Sequence, residues 1–165
     1  AAAEPASTTG IRVVISGLPK EEEPPQVTTT TLPRISLFCF ALMLPWGYEP
    51  DLLRSQLKGR KSIFSCDEPA VYSSTVMSLG PGFSTADLGI DLHCKYGGKF
   101  HTVLNTPIFQ AVWKRIVQDG NFRRHDWTVK ADPDCVFFPQ RLHRVLQGRD
   151  QMVAQVGNGA FLNNC

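Results

Sequence analysis

The stretch Arg34-Ile-Ser-Leu-Phe-Cys-Phe-Ala-Leu-Met-Leu44 is apolar at nine of its eleven positions. A strand with one wet face alternates apolar and polar residues. A run this continuous fits a strand covered on both faces, as inside a parallel sheet. It falls well short of the roughly 18 apolar residues that a membrane span needs.

Toward the C-terminus, three segments share one punctuation: Pro50–Lys58 before Gly59, Pro107–Asp119 before Gly120, and Pro139–Gln147 before Gly148. Proline is tolerated in a first helical turn because its missing N–H would be unpaired there anyway, and glycine accepts the backbone that ends a helix. The middle segment is the clearest helix. Thr106 is its expected N-cap, and Ile108, Phe109, Val112, Ile116 and Val117 form one stripe. Between helices, Lys61–Cys66, Asp126–Ala131 and Met152–Val156 read as further strands. Alternating strands and helices predict an α/β fold with a doubly wound, mostly parallel sheet. Ser73–His101 has no clear period and reads as a long loop, a feature that in a compact domain usually carries function.

Toward the N-terminus the composition changes. All 16 aromatic residues lie at Phe38 or later, while residues 1–33 hold five of the twelve prolines, six threonines and the run Lys20-Glu-Glu-Glu-Pro-Pro25. Such a segment buries too little apolar surface to offset its ordering entropy. Residues 1–33 are therefore expected to be a linker or stalk, and 34–165 the folded domain. The whole chain has 165 residues, a size suited to one domain, and a net charge of +2 without the concentrated basic stripe of a nucleic-acid binder. Five cysteines, none spaced C-x-x-C, leave pairing open. Cys39, Cys66 and Cys135 sit in apolar runs and read as buried thiols, and Cys94 lies in a polar loop where it could pair in an oxidising compartment.

In open α/β sheets, ligands bind beyond the carboxyl ends of the strands. That rule selects Asp67, after the strand expected at Lys61–Cys66, and Asp132 and Asp134, after the strand expected at Asp126–Ala131. Asp132-Pro133-Asp134 offers two hard oxygen ligands on a proline-fixed corner, which suits Mg²⁺ or Mn²⁺ when a diphosphate completes the shell. Spacing alone carries little, since nine aspartates in 165 residues give about 0.5 such pairs by chance. A solvated turn is the competing explanation.

The segment Trp127-Thr-Val-Lys-Ala-Asp-Pro-Asp-Cys-Val-Phe-Phe-Pro139, with the helix carrying Arg141 and Leu142, resembles the D-x-D region of nucleotide-sugar glycosyltransferases of GT-A fold. It is most similar to fringe and galactosyltransferase-type hexosyltransferases. Thr102-Val-Leu-Asn-Thr-Pro-Ile-Phe109, a helix with Trp113, and Asp119-Gly120 follow that family's order of elements. The resemblance implies a Rossmann-like nucleotide-sugar-binding half and a hexosyltransferase reaction from a UDP-sugar to a glycan or glycoprotein acceptor. Asp132 and Asp134 would hold Mn²⁺ or Mg²⁺ and, through it, the diphosphate. Asp67 would contact the nucleoside, and Lys130 would position the acids or the phosphates. Pro133 stands where the family has a middle acid. The family's domains are longer, so the acceptor side and the catalytic base are expected beyond Cys165, with an upstream membrane anchor and a place in the Golgi lumen.

Two other readings compete: a glycosyltransferase-like domain that only binds, and a haloacid-dehalogenase-type phosphatase with Asp132 as nucleophile and Asp134 as acid/base. His93, Cys94, His101 and His125 match no zinc-finger spacing. Arg123, Arg124, His125 and Lys130 form a basic cluster that is either a solvated connection or a phosphate-steering patch. Trp46 and Tyr48, after the first strand, either stack on a ligand ring or pack over the sheet end.

Overall fold

A computed structural model describes residues 34–97 and 102–147. The expected stalk at 1–33, the strand at Met152–Val156, His101 and the C-terminal segment through Cys165 lie outside the described residues.

Strand β1 (Leu37–Leu42) is the apolar run of the sequence and lies second from one side of a four-stranded sheet. Its side chains alternate between two buried faces. Leu37, Cys39 and Ala41 join one core cluster, and Phe38 and Phe40 the other. All five are at most 1% exposed. Burying a large apolar side chain contributes about 1.5–3 kcal/mol, and here neither face of the strand is left wet.

Helix α1 (Glu49–Lys58) follows β1 and packs Leu53 against the Leu37–Cys39–Ala41 face. Strand β2 (Glu68–Ser73) then pairs parallel to β1, with Phe38 opposite Glu68 and Leu42 opposite Tyr72. The next segment contains a small hairpin, β3 (Ser78–Gly80) with β4 (Phe83–Ser84), and β5 (Ala86–Asp87), which pairs parallel to the end of β2. A second short ribbon joins β6 (Tyr96–Gly97) to β7 (Thr102–Val103). Helix α2 (Thr106–Asp119) covers the Phe38–Phe40 face with Val112 and Ile116. Gly120 ends it at φ +70°, a left-handed conformation that glycine adopts without the Cβ clash other residues meet, and its N–H bonds the Ile116 carbonyl. Strand β8 (Trp127–Lys130) pairs parallel to the other side of β1, and α3 (Pro139–Leu146) returns to the α1 face through Leu142 and Leu146. The strand order β5-β2-β1-β8 is all parallel, with helices on both faces. The α/β architecture expected from the sequence is present.

Four expectations are corrected. Lys61–Cys66 is not a strand: Ser62–Ser65 is a 3-10 turn, entered through Arg60 and Ser62 at positive φ. Ile63 and Phe64 are buried as the apolar run implied, but as a turn ahead of β2. The true strand begins Glu68-Pro69. Proline is tolerated because β5 reaches only Tyr72 and Ser73, so no ladder partner on that side needs the Pro69 nitrogen. Cys39 and Cys66 are not separate thiols but a disulfide, with Cα atoms 6.1 Å apart. The loop expected at Ser73–His101 contributes the sheet strand β5, the β3–β4 hairpin and one strand, β6, of the second ribbon. Thr106 is the first helical residue rather than the cap, and Asn105 in the cap position makes no side-chain capping bond. Among the described residues, no helix is long and apolar enough to cross a membrane.

Candidate functional site at the switch between β1 and β8

From β1 the chain moves through α1 to β2 on one side, and it later returns through α2 to β8 on the other. The connections diverge from β1 in opposite directions, so a crevice opens above the carboxyl ends of β1 and β8. In open α/β sheets this is where ligands bind. A cavity of about 250 Å³ lies there, walled by Leu42 and Leu44 from the end of β1, Glu49 at the start of α1, and Asp132, Pro133 and Asp134 after β8. Leu92, Cys94, Asn105, Ile108 and Phe109 close the remaining side.

Burial alternates along the D-P-D turn: Asp132 and Asp134 are exposed, and Pro133 between them is buried. A carboxylate at the middle position would have to be buried, at a cost of several kcal/mol unless paired. The proline is therefore suited to this packing. The ladder ends just before, where the Ala131 N–H donates to the Phe40 carbonyl at 2.9 Å, and the turn closes with the Cys135 N–H on the Asp132 carbonyl at 3.1 Å. Lys130 Nζ stands 2.7 Å from Asp132 Oδ1 and 4.7 Å from the centre of the Phe109 ring. The Tyr48 hydroxyl donates to Asp134 Oδ2 at 3.2 Å, and Asp134's charge raises the Tyr48 pKa. Each aspartate keeps one carboxylate oxygen without a partner among the described residues.

Glu49 is the acid that the sequence reading missed. It accepts the Leu44 N–H at 2.7 Å. Burial raises its pKa, the Leu44 bond opposes that, and the charges of Asp134 and Asp132 add to the rise. From sequence it is a glutamate before a helical proline, indistinguishable from an acid placed to suit a helix dipole. Cys135 is half-buried, and burial, with Asp132 adding to it, pushes its thiol up. The thiol form of Cys135 is thereby favoured.

Asp67 is not at this site. Because β2 starts at Glu68, Asp67 precedes its strand and sits at the amino edge of the sheet. It accepts the Leu37 N–H at 2.8 Å and Arg34 Nη2 at 2.7 Å. Asp132 follows the opposite ends of the strands, five residue levels away, or about 17 Å at ~3.3 Å per residue. The expected nucleoside contact at Asp67 is withdrawn. Lys130, Asp132 and Asp134 do come together.

The basic cluster is split as well. Arg124 donates to both Glu68 oxygens at 2.9 Å and His125 Nε2 lies 2.9 Å from Glu68 Oε2, all at the amino edge, while Lys130 is at the carboxyl edge. His93 is bonded to Asp91 at 2.6 Å and stacked on Trp46 with ring centres 4.3 Å apart. It shares no site with His125, and among the described residues no three His, Cys, Asp or Glu side chains converge as a metal cluster. Trp46 and Tyr48 lie between β1 and α1, exposed by 40% and 62%, and of the two Tyr48 reaches the acidic turn through Asp134. Set against protein-family models, curated proteins and solved structures, the chain matches none of them.

Proposed function

We propose that the crevice between β1 and β8 binds a nucleotide sugar through a divalent metal, and that the protein is a glycosyltransferase of GT-A type transferring a hexose from a UDP-sugar to a glycan or glycoprotein acceptor. The observation that carries this reading is the paired exposure of Asp132 and Asp134 beside a cavity at the topological switch point. A solvated turn anywhere else on the surface would have no such position.

The residues present fit Mn²⁺ or Mg²⁺ in one specific way. Two carboxylates with one unpartnered oxygen each would supply part of an octahedral shell, leaving the other positions to the ligand's phosphates and water. Metal and diphosphate are then expected to bind together. Bound there, the metal would offset charge on the departing diphosphate. Lys130, now paired with Asp132, is within reach of the same anion and holds the carboxylate oriented meanwhile. Tyr48 does the same for Asp134. Leu42, Leu44, Leu92 and Ile108 make one wall of the cavity apolar, and a low-dielectric wall would strengthen charge interactions beside it. The Cys39–Cys66 disulfide supports an oxidising compartment, in keeping with a secretory-pathway enzyme.

Calorimetric titration of UDP with and without Mn²⁺ tests the reading. Binding that requires the metal and is lost in the Asp132→Asn/Asp134→Asn double variant supports it. No binding to the folded chain overturns it. Metal-dependent binding without sugar transfer to any acceptor favours the binding-only alternative.

A further inference from the structure

Gln56 lies near the C-terminal end of α1 and reaches the D-P-D turn, where its Nε2 donates to the Pro133 carbonyl oxygen at 2.7 Å. A carbonyl only accepts, so the orientation of the amide is fixed by its partner. The other end of the amide, Oε1, is buried and meets no donor among the described residues. A leucine at position 56 would occupy similar space and remove the stranded Oε1, but it would leave the Pro133 carbonyl without its donor. The chain thus holds an uncompensated polar atom on the side chain that grips the middle of the acidic turn.

The grip has a geometric consequence. The Pro133 oxygen belongs to the peptide plane that leads into Asp134, and the Pro133 ring is itself buried between two exposed aspartates. Ring packing fixes one side of this plane, and the Gln56 bond fixes its rotation. Lys130 and Tyr48 each touch a single carboxylate. Gln56 acts on the backbone between the two.

Resting on the metal-site reading above, we propose that Gln56 is a positioning residue whose Nε2–Pro133 bond sets the peptide plane between Asp132 and Asp134 so that both present their unpartnered oxygens to one cation. It touches neither metal nor substrate.

The test compares wild type, Gln56→Leu and Gln56→Lys in the full chain, by Mn²⁺ titration in the presence of UDP, amide exchange at Cys135 and thermal melting. Gln56→Leu removes the stranded oxygen but leaves the Pro133 carbonyl without its donor, so a small fall in melting temperature is expected, with the protein fully folded at the titration temperature. Mn²⁺ affinity is expected to fall about tenfold, as for other residues that orient metal ligands, and the Cys135 amide to exchange faster. Gln56→Lys, which restores a donor of sufficient reach, is expected to recover much of the affinity. Wild-type affinity in Gln56→Leu overturns the proposal while leaving the metal site standing, as does a loss seen only at temperatures where the variant is partly unfolded. A wild-type chain that binds no Mn²⁺ with UDP overturns the metal reading and, with it, the role of Gln56.

Discussion

The two edges of the central sheet use the same residue type for opposite ends. At the amino edge, Asp67 accepts the Leu37 N–H, Asp126 accepts the Ser36 N–H and hydroxyl, and Glu68 is held by Arg124 and His125. Here strands begin, and unpaired backbone N–H groups need acceptors. At the carboxyl edge the strands present carbonyls, which carboxylates cannot satisfy. Asp132 and Asp134 therefore stay exposed, with oxygens left over beside a cavity, and Glu49 is pressed into its wall. Acids at the amino edge are used by the fold, whereas at the carboxyl edge Asp132 and Asp134 each keep an oxygen for a ligand and Glu49 spends one on the Leu44 N–H.

That contrast can be broken or sharpened by experiment. The largest effect is expected from removing the Cys39–Cys66 disulfide, which ties the amino edge of β2 to the middle of β1. Closing a loop across 27 residues stabilises by about 3–4 kcal/mol through the unfolded chain, and urea denaturation of Cys39→Ala/Cys66→Ala should show that loss. Loss of UDP binding by a variant that remains folded would show the two edges to be coupled.

The Asp132→Asn/Asp134→Asn variant should lose metal-dependent UDP binding by at least about a hundredfold, roughly 2.7 kcal/mol. Its stability should change by less than about 0.5 kcal/mol, as at other exposed positions. Asp67→Ala should do the reverse. It leaves the Leu37 N–H unpaired, so urea denaturation should report a loss of about 1.5–3 kcal/mol, with UDP affinity unchanged in the folded protein. A fall in affinity at constant stability would restore Asp67 to the site.

Acid should separate the edges more subtly. The Ser36 N–H, and then its hydroxyl, hold Asp126 below its usual pKa. Burial raises Glu68, but the His125 and Arg124 bonds outweigh it and leave the pKa lowered. Stability from such groups is present above the unfolded-state values near about 4 and is lost as pH falls through the folded ones. Glu49 has the opposite sign. Its raised pKa means that its contribution is present below the unfolded value and is lost as pH rises through the folded one. Carboxyl NMR titration should place Asp126 and Glu68 below their ordinary values and Glu49 above. Glu49 titrating below its ordinary value would remove the crowding of acids inferred at the cavity.

Much of this was legible locally. The apolar run at residues 34–44 announced a strand buried on both faces, and proline and glycine marked all three helices to within a residue or two. Asp132 and Asp134 follow the carboxyl end of β8, as their position just after the run at residues 127–131 implies. Asp67 was misplaced by one structural decision. Ile63 and Phe64 are buried whether extended or turned, so hydrophobicity could not reveal that positive φ at Arg60 and Ser62 makes a 3-10 turn there. Once the strand moves to Glu68, the same aspartate passes from the carboxyl edge to the amino edge.

The sequence by itself determined which segments are buried and where helices start and stop, because apolar periodicity and backbone restrictions act within a few residues. Only the tertiary structure decided which acids share an edge, that Cys39 meets Cys66, that Glu49 joins the cavity, and that Gln56 grips Pro133. Those contacts join residues 27 to 85 positions apart, and their distances depend on how the strands pair and on which side of β1 each crossover returns.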